Sequence, residues 1–257
     1  MENQKTYHIA VIVAAGSGTR MKADRPKVFL DLAGKPVLAR TVGAFEKCPW
    51  IDGIIVVAAE ECLDEAEALI RESGAAKVRA VVPGGAARAD SVYAGLRAAG
   101  PISGAGRTYV YIHDGARPFV TQEVLDRVRE GVLAHGACVC GMPVKDTIRQ
   151  ISSSRKEEDS GLEILGGRPD RSMLRQIQTP QAFDISLVTE AYEAYMNVVR
   201  KQEKAGEGEC LPAATDDAGV VEMMTDHSVC LAEGSYRNIK LTTPEDMIVG
   251  EAFCAQQ

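Results

Sequence analysis

Gly16 and Gly18 end an apolar run that begins at Ile9, and Arg20, Lys22, Arg25 and Lys27 follow directly behind them. Glycine lacks the Cβ that keeps an anion away from backbone N–H groups, so such a loop followed by cations suits a phosphate-rich ligand. Two other glycine motifs are excluded: the third glycine of GxGxxG is missing, and the GxxxxGK[ST] pattern of a P-loop is absent. A tight turn after a first strand would need only the glycines. The cations, with Pro26 presenting Lys27, are what a mere turn leaves unexplained, and the loop is expected to hold a triphosphate.

The elements that would position this loop can be read from apolar periodicity. Strand-like runs at 8–15, 53–59, 78–82, 109–113 and 137–143 alternate with helical periods at 36–47, 60–73, 88–99 and 121–135. That alternation predicts a mainly parallel, Rossmann-like α/β sheet with helices on both faces. In such sheets ligands bind beyond the carboxyl ends of the strands, where GSGTR, PGGAARADS and HDGARP all fall. Between about 145 and 178 the rhythm breaks. The polar stretch SSSRKEEDSG is flanked by short runs at 146–151 and 162–165 that could pair as a hairpin, either a plain surface flap or a functional arm. A long helix (184 to about 204), a polar linker (205–209), a short helix near Asp216, a strand (228–232) and a last helix from Pro244 complete the reading.

Composition narrows the partners. The 257 residues, 46% of them hydrophobic, suffice for one sizeable core and are read as a single domain. A formal charge of −7 disfavours nucleic acid and anionic membranes. No apolar stretch approaches the ~20 residues of a membrane span, and the N-terminal run ends in glycines rather than a cleavage site, so a cytoplasmic location is expected. The seven cysteines are odd in number and form no Cys-x-x-Cys pair, which leaves no zinc pattern.

Seven blocks carry a resemblance: AAGSGTRMKADRPK (14–27), GGAARADSV (84–92), HDGARPFV (113–120), PVKDTI (143–148), QTPQAF (178–183), TDDA (215–218) and GSYRNIKLTTPED (234–246). In this order they resemble the 2-C-methyl-D-erythritol 4-phosphate cytidylyltransferases of the non-mevalonate route to isoprenoids. The likeness runs over nearly the whole chain. Ribitol-5-phosphate cytidylyltransferases share most of the blocks; a sugar-1-phosphate nucleotidylyltransferase and a catalytically silent nucleotide-binding module are the remaining alternatives. The resemblance implies CTP and a polyol phosphate as substrates, and a homodimer in which the segment 145–178 reaches across as a β-arm.

It also implies site residues. Arg20, Lys27 and Lys240 would stabilise the transition state. Ala14, Ala15, Gly16, Gly18, Gly85, Ser91, Asp114 and Gly115 would bind the nucleotide. Asp114, Arg117, Thr147, Arg171, Thr179, Thr215 and Lys240 would hold the sugar phosphate. These types fit the chemistry: a phosphomonoester is already ionised near neutrality, so the reaction needs cations rather than a general base, and no Ser-His-Asp or Cys-His set is apparent. Asp114 is the one carboxylate obviously placed, so Mg²⁺ would rest mainly on triphosphate oxygens and water. Some residues have rival roles: Lys240 as the guard of an edge strand, Ser91 as a helix cap or liner, Asp114 as a turn residue, and Thr215 as the N-cap of a helix beginning Asp216-Asp217. The chain departs from common family members at Ala86 and Ala87, where acids are frequent, and at Gly115, where alanine is.

Overall fold

The structure, a computed structural model, describes residues 6–16, 21, 25–100, 106–156, 162–205 and 214–256. Strands β1 (Tyr7–Val13), β4 (Gly53–Ala58), β5 (Val78–Pro83), β6 (Thr108–Asp114), β7 (Ala137–Pro143), β10 (Arg175–Asp184) and β11 (Cys230–Glu233) form one seven-stranded sheet in the order β11-β7-β10-β6-β1-β4-β5. Every neighbouring pair is parallel except those of β10, which runs antiparallel between β6 and β7. Two small pairs stand apart, β2 (Asp31–Leu32) with β3 (Lys35–Pro36), and β8 (Ile151–Lys156) with β9 (Glu163–Leu165).

Seven helices complete the described residues: α1 (Val37–Lys47), α2 (Leu63–Ser73), α3 (Arg88–Ala99), α4 (Gln122–His135), α5 (Ile185–Ala205), α6 (Asp217–Met224) and α7 (Pro244–Cys254). Side chains alternate across a strand, and β1 shows the result: Ala10 and Ile12 join the core under α1, α2 and α4, whereas Ile9 and Val11 join the one under α3, α5 and α6. A continuous apolar run is what a strand covered on both faces requires. None of the helices is long and apolar enough to cross a membrane, among the described residues.

Two expectations are corrected here. The arm hairpin does form, but its first strand starts at Ile151, where the run 146–151 ends, and Ile151 pairs with Leu165. Lys240 lies in no strand; the segment is irregular and is held by the Leu241 N–H donating to the Ala116 carbonyl at 2.9 Å, with Leu241 buried.

Two buried histidines make the fold acid-sensitive. His8 lies among Trp50, Tyr109 and Tyr111, and His113 beneath the end of β6. Burial lowers each imidazole to about 4, aided at His8 by the charge of Arg129. Both values lie below the unfolded value near ~6.5, so the unfolded chain binds more protons and stability present above that pH is lost as pH falls toward 4. Urea titrations between pH 7 and 4 should show unfolding free energy falling by about 1.4 kcal/mol per pH unit for each group, steepest where both differ. His8→Phe should remove one group's share; an unchanged slope would contradict the assignment to His8.

Candidate active site

The cleft lies at the carboxyl ends of β1 and β6, which pair so that Val13 stands beside Asp114. It encloses about 380 Å³ and is lined by the loop after β1 (Ala14, Ala15, Gly16), by Lys27, by Gly85 to Arg88 with Ser91, and by Asp114 and Lys240. Three separate loops therefore converge as the strand pattern requires. A wider groove of about 760 Å³ runs along α1 and gathers none of the candidate site residues.

The loop after β1 is fixed by the Ala14 N–H donating to the Val57 carbonyl at 2.7 Å. The loop after β5 must approach it closely: a Cβ on Gly84 would stand 2.5 Å from the Ala15 Cβ and 2.6 Å from the Ser91 Oγ, so no larger residue fits without movement. Ser91 is buried and accepts from the Gly85 N–H while donating to the Ala87 carbonyl, both at 3.2 Å. It thus lines and ties the loop at once. Gly115 is similarly crowded, since a Cβ there would lie 3.0 Å from that of Ala14.

Lys27 opens a short 3-10 turn, Lys27–Phe29, behind Pro26; Val28 and Phe29 are buried and anchor the base of the lysine. Arg25, counted among the loop's cations, instead pairs with Glu65 outside the cleft. Gly18, Arg20 and Lys22 lie outside the described residues.

Asp114 is the electrostatic centre. It meets the Lys240 Nζ at 3.0 Å and the Arg117 Nε at 3.2 Å through one oxygen, and the Arg88 Nε at 3.6 Å through the other. Burial by itself would raise this carboxyl, but Lys240, Arg88 and Arg117 together outweigh it and hold the group far below the usual carboxylate range. Asp114 is therefore a fixed anion at any working pH. Lys240 points into the cleft and so is no edge guard, and Arg117 also donates to the Asn238 carbonyl at 2.8 Å. His113, which sequence reasoning left without a role, donates from Nε2 to the Arg117 carbonyl at 3.0 Å, and its Nδ1 accepts from the Thr179 hydroxyl at 3.1 Å.

The remaining sugar-phosphate candidates do not line this cleft. Thr179 is buried and its hydroxyl accepts from the Asp114 N–H at 3.1 Å, so within one chain it supports Asp114 from below. Thr147 and Arg171 are exposed on the arm, where Arg171 donates to the Lys145 carbonyl at 2.9 Å. Thr215 is exposed and is not the helix cap: Asp216 is, accepting from the Gly219 N–H at 3.0 Å. Two residues inside the quoted blocks went unassigned. Arg88 lines the cleft, and its guanidinium forks onto the buried Asp217 with two contacts of 2.8 Å. No local signal links them, because 129 positions separate the pair.

Among the described residues no three His, Cys, Asp or Glu side chains gather to hold a metal ion. With Asp114 already surrounded by three cations, the donor set fits a divalent ion carried by triphosphate oxygens and water. A glycine-lined cleft at the end of a parallel sheet, with cations gathered around one carboxylate, has the equipment of a nucleotidyltransferase.

The family model of 2-C-methyl-D-erythritol 4-phosphate cytidylyltransferase matches residues 8–256, and the chain belongs to that family. Similar proteins described by that name include one from Lachnospira eligens, 40% identical over 95% of this chain and 97% of its own. Another, from Geobacter metallireducens, is 39% identical over 96% and 97%. Among solved structures, a 4-diphosphocytidyl-2C-methyl-D-erythritol synthase from Anaerococcus prevotii superposes with a TM-score of 0.77 at 28% identity, over 97% of this chain and 96% of that one. A 2-C-methyl-D-erythritol 4-phosphate cytidylyltransferase from Thermus thermophilus gives 0.69 at 28% identity, over 95% and 98%.

Proposed function

We propose that this cleft transfers the cytidylyl group of CTP to 2-C-methyl-D-erythritol 4-phosphate, giving 4-diphosphocytidyl-2-C-methyl-D-erythritol and pyrophosphate in the non-mevalonate route to isoprenoids. Family membership over residues 8–256 supports this reading, and the observation that carries its chemistry is Asp114 amid Lys240, Arg117 and Arg88 beside the glycine loop. The family favours neither a ribitol phosphate acceptor nor a silent binding module.

The acceptor phosphate needs no base: its second ionisation, near ~6, leaves an oxygen free to attack the α-phosphorus at neutral pH. What the chain must supply is charge and alignment. In this reading Lys27, Lys240 and Arg20 neutralise the negative charge that grows on the α-phosphate and the leaving pyrophosphate. Backbone groups of Ala14, Ala15, Gly16, Gly18 and Gly85, with Ser91 and Gly115, hold the nucleotide, and Asp114 accepts from a substrate hydroxyl. The triphosphate and water would hold Mg²⁺, which when bound would offset phosphate charge as a Lewis acid, and Lys27 and Lys240 add the chain's own fixed positive charge.

The reading takes residues 1–257 as one cytoplasmic unit that works as a homodimer. Arg117 and Thr215 bind the polyol phosphate with Thr147 and Arg171, which enter from the partner's arm, and Thr179 contributes through Asp114, which it holds from below. Its support lies in the arm's surface: of eleven exposed large apolar side chains among the described residues, six lie between Ile148 and Ile177, which a chain working alone has no reason to leave in water.

Incubation with CTP, a divalent ion and each polyol phosphate tests the assignment. Pyrophosphate should be released with methylerythritol phosphate, and ribitol phosphate should be far poorer. Equal or better turnover with ribitol phosphate would reverse the substrate.

A further inference from the structure

Arg88 belongs to the cleft but is not placed as a phosphate ligand. Its terminal nitrogens both grip Asp217 at 2.8 Å, and the nitrogen facing inward, Nε, stands 3.6 Å from Asp114. Asp217 has no exposed surface. The Asp217 oxygen that accepts from Arg88 Nη1 also accepts from the Tyr192 hydroxyl at 2.6 Å. Behind it the Gln181 side-chain Oε1 accepts from the N–H groups of Asp217 and Ala218 at 3.0 and 2.9 Å, while its Nε2 donates to Asp216 at 3.0 Å. Elements α5, α6 and β10 thus converge on one carboxylate whose outward partner is Arg88.

A guanidinium is planar and rigid, so fixing its fork fixes the direction of Nε. A phosphate-binding arginine offers its fork to the ligand; this one spends the fork on the protein. We infer that Tyr192 and Asp217 are positioning residues, acting through Arg88 as a strut that orients Asp114 toward its substrate hydroxyl. The inference rests on the cytidylyltransferase reading and adds to it the support that keeps the cleft's carboxylate in place.

The strut makes a demand a general cation does not. Lysine at position 88 could neutralise Asp217 but could not reach both carboxylates in fixed geometry. The test measures kcat/KM under single turnover, with enzyme in excess, for wild type, Arg88→Lys, Asp114→Asn and the double variant, with Tm followed throughout. Arg88→Lys should cost about tenfold in the wild-type background and less than about twofold when Asp114 is already asparagine, because the strut then has nothing to orient. Arg88→Gly should regain activity saturably with added guanidinium and not with methylammonium. Tyr192→Phe, which deletes one hydroxyl, should lower kcat/KM severalfold, and its Tm reports whether the fold persists.

Equal losses from Arg88→Lys in both backgrounds would make Arg88 a direct substrate ligand and overturn the inference, as would wild-type activity in Arg88→Lys and Tyr192→Phe together. In either case an active wild type leaves the cytidylyltransferase reading standing. A wild type that releases no pyrophosphate from any polyol phosphate defeats that reading, and the inference with it.

Discussion

Lys27→Ala is expected to lower kcat by about 10²–10³ while CTP binds within a few-fold of its original affinity. The charge this lysine meets grows as the bond to pyrophosphate breaks, so its interaction is stronger in the transition state than in the bound substrate. Its placement favours a large effect. Pro26 precedes it, Val28 and Phe29 are buried directly after it, and the side chain enters the cleft from a turn that packing has already fixed. Little of the catalytic work is then lost to ordering the side chain. Stability should barely change, since the side chain is only half-buried. Steady-state turnover together with equilibrium CTP binding decides the matter: collapse of CTP affinity with unchanged turnover at saturation would make Lys27 a ground-state anchor.

Mixing two inactive variants should restore activity. If the arm completes the partner's site, Lys27→Ala and Arg171→Ala each spoil both sites of a homodimer by removing different contributions. In a mixed dimer one site receives both wild-type residues and the other neither. Random reassociation makes half of the dimers mixed, each with one working site of two, so activity should return to about a quarter of wild type. Exchange is verified by co-purification of differently tagged subunits. Exchange without recovery would mean that each site is built within one chain. The exposed position of Arg171 outside its own cleft, and the apolar surface of the arm that carries it, motivate this arrangement.

The parts of this protein legible in its sequence are those that local chemistry dictates. Strands covered on both faces must be continuously apolar, which exposed β1, β4 and β6 at once, and the glycines followed by Lys27 marked where an anion could approach backbone. Parallel strands then required the loops after β1, β5 and β6 to meet at one edge of the sheet. Strand β10 was not legible, because its buried centre is Gln178, Thr179, Pro180 and Gln181, and polar residues satisfied by distant partners leave no apolar alternation to read. The short helix near Asp216 was foreseen, but which residue caps it was decided by backbone geometry: Asp216 is extended and reaches Gly219, one position later than Thr215, the alternative cap. The largest gap was the support of Asp114. A lysine from an irregular C-terminal segment, an arginine three residues on and another from α3 surround it, and the α3 arginine is fixed by an aspartate 129 positions away. Sequence determined that cations and one carboxylate were available near a glycine loop. Only the tertiary fold could decide which charge faces which, because ion pairing depends on distance in space, and chain spacing fixes that distance only within a single helix or strand.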